Sequence, residues 1–176
     1  MPEPTASQRV DQVRRLLNPN NVVIVGATER ATSWAGRIRE NLLRFGFEGD
    51  IHAVNPRYES VWDQPCYPDI ASVPEAPDHL VMLTPARAVA AGLDEGARAG
   101  ARSATVFASG FGEDGSAEGP GYAADLKEVI ARTGIAISGP NCLGNICASS
   151  RLVTLTDRRL IEVKDGPVAI VAQSGG

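Results

Sequence analysis

The run Val22-Val23-Ile24-Val25-Gly26-Ala27-Thr28 is apolar and β-branched, stops at a glycine and is followed by a hydroxyl. A buried strand that turns sharply toward a helix aims backbone N–H groups and a positive dipole end at one spot, which is the chemistry of a phosphate site. The pattern departs from the fingerprint Gly-x-Gly-x-x-Gly, because Thr28 stands at the second glycine position and Ala31 at the third. The close backbone approach that a dinucleotide pyrophosphate uses is therefore lost.

A second candidate is Val54-Asn55-Pro56-Arg57. An NAD site wants Asp or Glu at this point to hold a ribose diol, whereas Arg57 suits a phosphorylated ribose through a bidentate, charge-assisted contact. NADP and coenzyme A carry such a ribose; a solvated surface arginine is the plain alternative. Thr84-Pro85-Ala86 and Ser109-Gly110-Phe111 add hydroxyls, a turn glycine and an aromatic face. Singly each is only a turn. Together, at successive strand ends, they suit a ligand with phosphates and a flat base.

The remaining chemistry-bearing residues are less promising. His52 and His79 begin predicted strands, at the end opposite the ligand, and read as surface or half-buried groups without a chemical role. Cys142 and Cys147 lack the further ligands of a zinc site and read as packing residues. Glu113, Asp114 and Glu118 among glycines read as a solvated, mobile loop. No Ser-His-Asp set or carboxylate pair stands out.

These residues need elements to hold them. Ser7 is placed to cap a helix with Val10, Val13, Leu16 and Leu17 on one face, ended by Asn18-Pro19-Asn20. Strands are predicted at 22–25, 51–54, 79–83, 103–107 and 135–137. A helix begins near Trp34, with Ile38, Leu42 and Phe45 on one face, and another spans about Tyr122 to Thr133. The helix after Pro85 carries Ala88, Gly92, Gly96 and Gly100 in one row, which predicts close approach to another backbone. Prolines 65, 68, 74 and 77 leave room for little more than a helical turn between Tyr58 and Pro77. Uninterrupted apolar strands alternating with helices predict an α/β, Rossmann-like, doubly wound parallel sheet. Arg151–Thr156 and Leu160–Val163 read as an added hairpin. Val168–Val171 reads as a further buried strand, with Gln173-Ser174-Gly175-Gly176 as its turn.

At 176 residues, 43% hydrophobic and 22% charged, the chain has the composition of a soluble globular domain. A net charge of −4 without a basic cluster argues against nucleic acid. No apolar run is long enough for a bilayer, no signal peptide opens the chain, and three cysteines fit a reducing compartment. The expectation is a cytoplasmic protein.

The ordered set Gly26-Ala27-Thr28, Val54-Asn55-Pro56-Arg57, Thr84-Pro85-Ala86, Ser109-Gly110-Phe111-Gly112, Gly139-Pro140-Asn141-Cys142-Leu143-Gly144 and Ala172-Gln173-Ser174-Gly175-Gly176 resembles a known family. It is similar to the N-terminal CoA-binding domain of NDP-forming acyl-CoA synthetases, relatives of the succinyl-CoA synthetase alpha subunit. The resemblance runs from Asn21 onward. It implies an N-terminal helix over residues 1–20, a CoA-binding domain over 21–148, and a hairpin or linker over 149–176. The last stretch would end in the first strand of a following, truncated flavodoxin-like ligase domain, making this chain a fragment.

By the same resemblance, Gly26, Ala27, Thr28, Ser33 and Trp34 hold CoA phosphates and part of its adenosine end. Asn55, Pro56 and Arg57 match a segment whose basic residue, commonly lysine, meets a CoA phosphate. Thr84 and Pro85 line the cofactor. Phe107, Ala108 and Ser109 match a stretch that ends in glutamate in the alpha subunit. Asn141 lies near the channel toward the acyl-phosphate site, and Ser174 and Gly175 open a helix facing a phosphohistidine. The implied reaction joins an acid to CoA, with ATP giving ADP and phosphate, through an acyl phosphate and a phosphorylated histidine of a domain this sequence lacks. The partners implied are CoA, acyl-CoA, and ligase and ATP-grasp domains, fused or separate. Alternatives are a stand-alone sensor of CoA or a nucleotide, and an NADP-dependent oxidoreductase domain.

Overall fold

Buried apolar strands alternate with helices along the chain of a computed structural model that describes residues 5–30 and 32–172. In order come α1 (Ala6–Leu17), β1 (Asn21–Val25), α2 (Trp34–Arg44), β2 (Asp50–Val54), β3 (Ser60–Val61) and β4 (Gln64–Tyr67). They are followed by β5 (His79–Met82), α3 (Ala86–Ala99), β6 (Ser103–Val106), α4 (Gly119–Thr133), β7 (Ala136–Ser138), β8 (Ile146–Cys147) and β9 (Leu152–Val153). One sheet has the order β3-β4-β2-β1-β5-β6-β7, parallel except where β3 turns back on β4. This is the expected α/β architecture.

Every residue of β1 is buried, as a strand covered on both faces requires. Val23, Val25, Leu80, Met82, Ala104 and Val106 share one core with Val89, Leu93, Leu126 and Val129 of α3 and α4. Alternate residues Val22, Ile24 and Val81 face the other way, against Ile38 and Leu42 of α2 and Leu152 of β9. Helix α1 touches β6 and β7. It is capped by Thr5 through a reciprocal pair with Gln8, where the sequence suggested Ser7.

The glycine row on α3 does meet a neighbour, but side chains rather than backbone. A Cβ on Gly92 would lie 2.6 Å from Met82 Cε, and one on Gly96 would strike Leu80 Cδ1. Between residues 58 and 77 the structure has β3 and β4 where a helical turn was expected, with β4 pairing in parallel with β2. The C-terminal hairpin exists but is built from β8 and β9. Leu160–Val163 forms no strand, and Ile161 is 85% exposed. Val168–Val171 also forms no strand, and its apolar side chains face solvent: among the described residues no strand lies beside it to satisfy its backbone. Asn41, nearly fully buried on α2, donates from Nδ2 to Leu155 O (2.7 Å) and Asp157 O (3.2 Å), holding the segment beyond β9 along that helix.

His79 is fully buried, where a surface or half-buried position was expected of it. Its Nδ1 lies 2.8 Å from Ser103 Oγ and its Nε2 lies 2.8 Å from Thr105 Oγ1, across the β5–β6 pair. Burial pushes its pKa down to about 4 against the opposing pull of Asp78.

Gly96→Val is expected to cost about 1–3 kcal/mol of unfolding free energy by overpacking Leu80, measured by urea denaturation. His79 is neutral when folded but takes up a proton below about pH 6.5 when unfolded. Its contribution is therefore fully present above about pH 6.5 and is lost as pH falls toward 4, about 3 kcal/mol in all. Denaturation midpoints of wild type and His79→Leu should converge over that interval.

Candidate functional site

The parallel ladder continues past the strand ends and draws the following loops together. Leu83 N donates to Val25 O (2.9 Å), Phe107 N to Met82 O (3.2 Å) and Asn55 N to Tyr67 O (2.9 Å). Asn141 N reaches Ala108 O at 2.9 Å. The loops after β1, β2, β5, β6 and β7 thus share the carboxyl edge of the sheet, where parallel α/β proteins bind ligands.

Gly26 makes the first turn possible. Its φ is +94°, and a Cβ there would lie 3.1 Å from Leu83 O. Gly26 N and Ala27 N both donate to Val54 O, at 2.8 and 3.2 Å. Those two amides hold the sheet end, so the part of this turn left for a ligand begins at Thr28. Asn55 ties the first two loops, donating from Nδ2 to Ala27 O (2.7 Å) and accepting from Arg57 N at Oδ1 (3.0 Å). Ser33 caps α2 by accepting from Gly36 N at 3.1 Å. Trp34 is half-exposed and packs tilted on buried Phe107, with ring centroids 5.8 Å apart.

Two hydroxyls at this edge are buried without a hydrogen-bond partner among the described residues: Thr28 Oγ1 and Thr84 Oγ1. Buried hydroxyls ordinarily find partners, so a pair of orphans at the ends of adjacent strands makes this edge the candidate site for a polar ligand. The exposed Arg57 pairs with no carboxylate among the described residues. Pro56, Pro85 and Ser109 are exposed on the same rim; Pro85 precedes α3 without a side-chain cap. Ala108 is half-buried, and Asn141 is exposed at φ +53°.

Sequence reasoning missed one participant. Glu113, read as a solvated acid, accepts Gly110 N at Oε1 and Phe111 N at Oε2, both at 2.7 Å. Backbone N–H groups of its own residue, Gly110 and Phe111 hold its carboxyl below the usual range. The Ser109-Gly110-Phe111 turn therefore already has its anion. Carboxylate two residues past a glycine turn was the available signal. Burial pushes the Cys142 and Cys66 thiols up, which makes them poor nucleophiles. His52 packs edge-on against Tyr67. Among the described residues, no group of His, Cys, Asp or Glu could hold a metal. Ala31, Ser174 and Gly175 lie outside the described residues.

Sheet order, convergent loops and an arginine–hydroxyl rim define a parallel α/β domain of the nucleotide-binding kind. Residues 20–148 match the family described as CoA binding domain, and the chain belongs to that family. ADP-forming acetate–CoA ligase I of Archaeoglobus fulgidus is 33% identical over 163 residues, which cover 93% of this chain and 23% of that protein. The alpha subunit of ADP-forming acetate–CoA ligase I of Pyrococcus furiosus is 30% identical, over 91% of this chain and 35% of the subunit. A dinucleotide-forming acetyl-coenzyme A synthetase 1 of Ca. Korarchaeum cryptofilum, solved with phosphate and ADP, superposes with a TM-score of 0.76 at 30% identity. That match covers 85% of this chain and 32% of the other. The chain spans well under half the length of each.

Gly26→Ala should cost about 1–2 kcal/mol of stability, because the alanine must hold a positive φ against Leu83 O. Denaturant midpoints of the two proteins at equal slope check this.

Proposed function

We propose that this chain is the CoA-binding portion of an ADP-forming acyl-CoA synthetase. In that reading the enzyme joins an acid to CoA at the expense of ATP, and releases ADP and phosphate. An acyl phosphate and a phosphohistidine belonging to another domain carry the intermediate steps. What supports the reading most directly is the orphaned pair Thr28 Oγ1 and Thr84 Oγ1, on the same sheet edge as Arg57, which pairs with no carboxylate among the described residues. These groups have the chemistry that a phosphorylated nucleotide would satisfy.

The residues fit coenzyme A one by one. Arg57 would meet the ribose phosphate through its guanidinium. Thr28 and Thr84 would donate to diphosphate oxygens, and Gly26 and Ala27 keep the chain low enough to admit them. The half-exposed indole of Trp34, steadied by Phe107, would lie against an apolar part of the ligand. Ser33, Asn55, Pro56, Pro85, Ala108 and Ser109 would shape the rim, and Asn141 would stand where the thiol end leaves it. Coenzyme A supplies the thiol that accepts the acyl group. The work of this chain is to bind and orient that thiol, and the remaining ligase and ATP-grasp parts would be its partners. Among the described residues no helix is long and apolar enough to cross a membrane.

Calorimetry with CoA, dephospho-CoA and NADPH tests the reading. CoA should bind most tightly. Arg57→Ala should weaken CoA about tenfold or more and leave dephospho-CoA nearly unchanged, as expected for loss of one charged contact. Preference for NADPH, or equal loss for both CoA forms, would overturn the assignment. So would acyl-CoA formation by the chain alone.

A further inference from the structure

The two hydroxyls bonded to His79 belong to a longer chain of polar groups whose directions agree. Ser103 Oγ donates to the carbonyl of Arg15 at the end of α1 (3.0 Å), which leaves its lone pair for His79 Nδ1–H. Thr105 Oγ1 accepts from Asn145 Nδ2 at 2.8 Å, so its own proton points to His79 Nε2. Asn145 Oδ1 accepts from Ser138 Oγ at 2.9 Å, and Asn145 N donates to Thr154 Oγ1 at 2.8 Å. Only one neutral tautomer, protonated at Nδ1, satisfies every bond.

Ser138 and Asn145 are the two ends of the loop that carries Asn141, so their mutual hydrogen bond closes its neck. The neck is fastened to the sheet through Thr105, and Thr105 is aimed by His79. Beyond the neck the loop touches the ligand edge through Asn141 N on Ala108 O and Cys142 Sγ on Val106 O (3.4 Å).

We infer that His79 is a positioning residue: by orienting the Thr105 hydroxyl it locks Asn145 and fixes the 139–144 loop at the ligand edge from within the sheet. His79 touches no ligand on this reading. Its effect on affinity rests on the coenzyme A proposal; its effect on the loop does not.

Half-imidazole replacements separate this role from general packing. Gln at position 79 places its amide near Nε2 and can accept from Thr105, whereas Asn places its amide near Nδ1 and reaches only Ser103. His79→Gln should keep amide exchange at Gly144 and Asn145 within about threefold of wild type. His79→Asn and Thr105→Val should speed that exchange about tenfold or more, and should weaken CoA by a similar factor. Imidazole nitrogen shifts of the wild-type chain at pH 7 should show Nδ1 protonated and Nε2 bare. Equal exchange in the Gln and Asn variants, unchanged exchange in Thr105→Val, or an Nε2–H tautomer would overturn the inference. If wild type shows no affinity for CoA while exchange follows this order, the ligand assignment falls and the positioning role stands.

Discussion

The central parallel ladder is the constraint on which the rest depends. β1 has no exposed residue, and its carbonyls and amides are matched on both sides by β2 and β5. The ladder does not stop where the strands stop. Val54 O takes two amides from the first turn, and Val25 O and Met82 O each take the amide that follows the neighbouring strand. Loops that would otherwise wander are thereby started at fixed heights and in fixed directions. Burial drives the sheet together, and backbone pairing decides where the polar rim falls.

That arrangement divides the rim between structural and available groups. The amides of Gly26 and Ala27, the Asn55 amide and the Gly110 and Phe111 amides are all engaged within the chain. The groups left open among the described residues include two threonine hydroxyls, an arginine and an indole face. A ligand held by such a set would be recognised through side chains, so its selectivity would be open to single substitutions in a way that a backbone cradle is not.

Much of this was legible from residue patterns. The five predicted strands are mostly apolar, broken by His52, His79, Ser103 and Thr105, and a glycine, proline or hydroxyl follows each within two residues, so both their burial and the loop ends could be read. β3 and β4 escaped because Pro65 sits in β4 and the connecting turn uses Trp62 and Asp63 at positive φ in place of the usual Asn-Gly. His79 was misplaced because a strand's first residue was read as lying at the surface or only half-buried. The alternation His79 on β5 with Ser103 and Thr105 on β6 was the hint that a polar seam runs through that face. Leu160–Val163 looked like a strand by composition, yet Leu152 packs against α2 and is buried with Val153, whereas Ile161 stays in solvent. The division of amides between chain and ligand was never visible in residue order, because it depends on which carbonyl each turn meets in space.

The Glu113 carboxylate gives the turn after β6 an unusual property. Because it is joined to the amides it occupies by only two or three residues, it competes as though present at millimolar levels or above. A free anion at cellular concentrations faces an incumbent that never diffuses away. The β6 corner is thus closed to casual occupancy by a free anion.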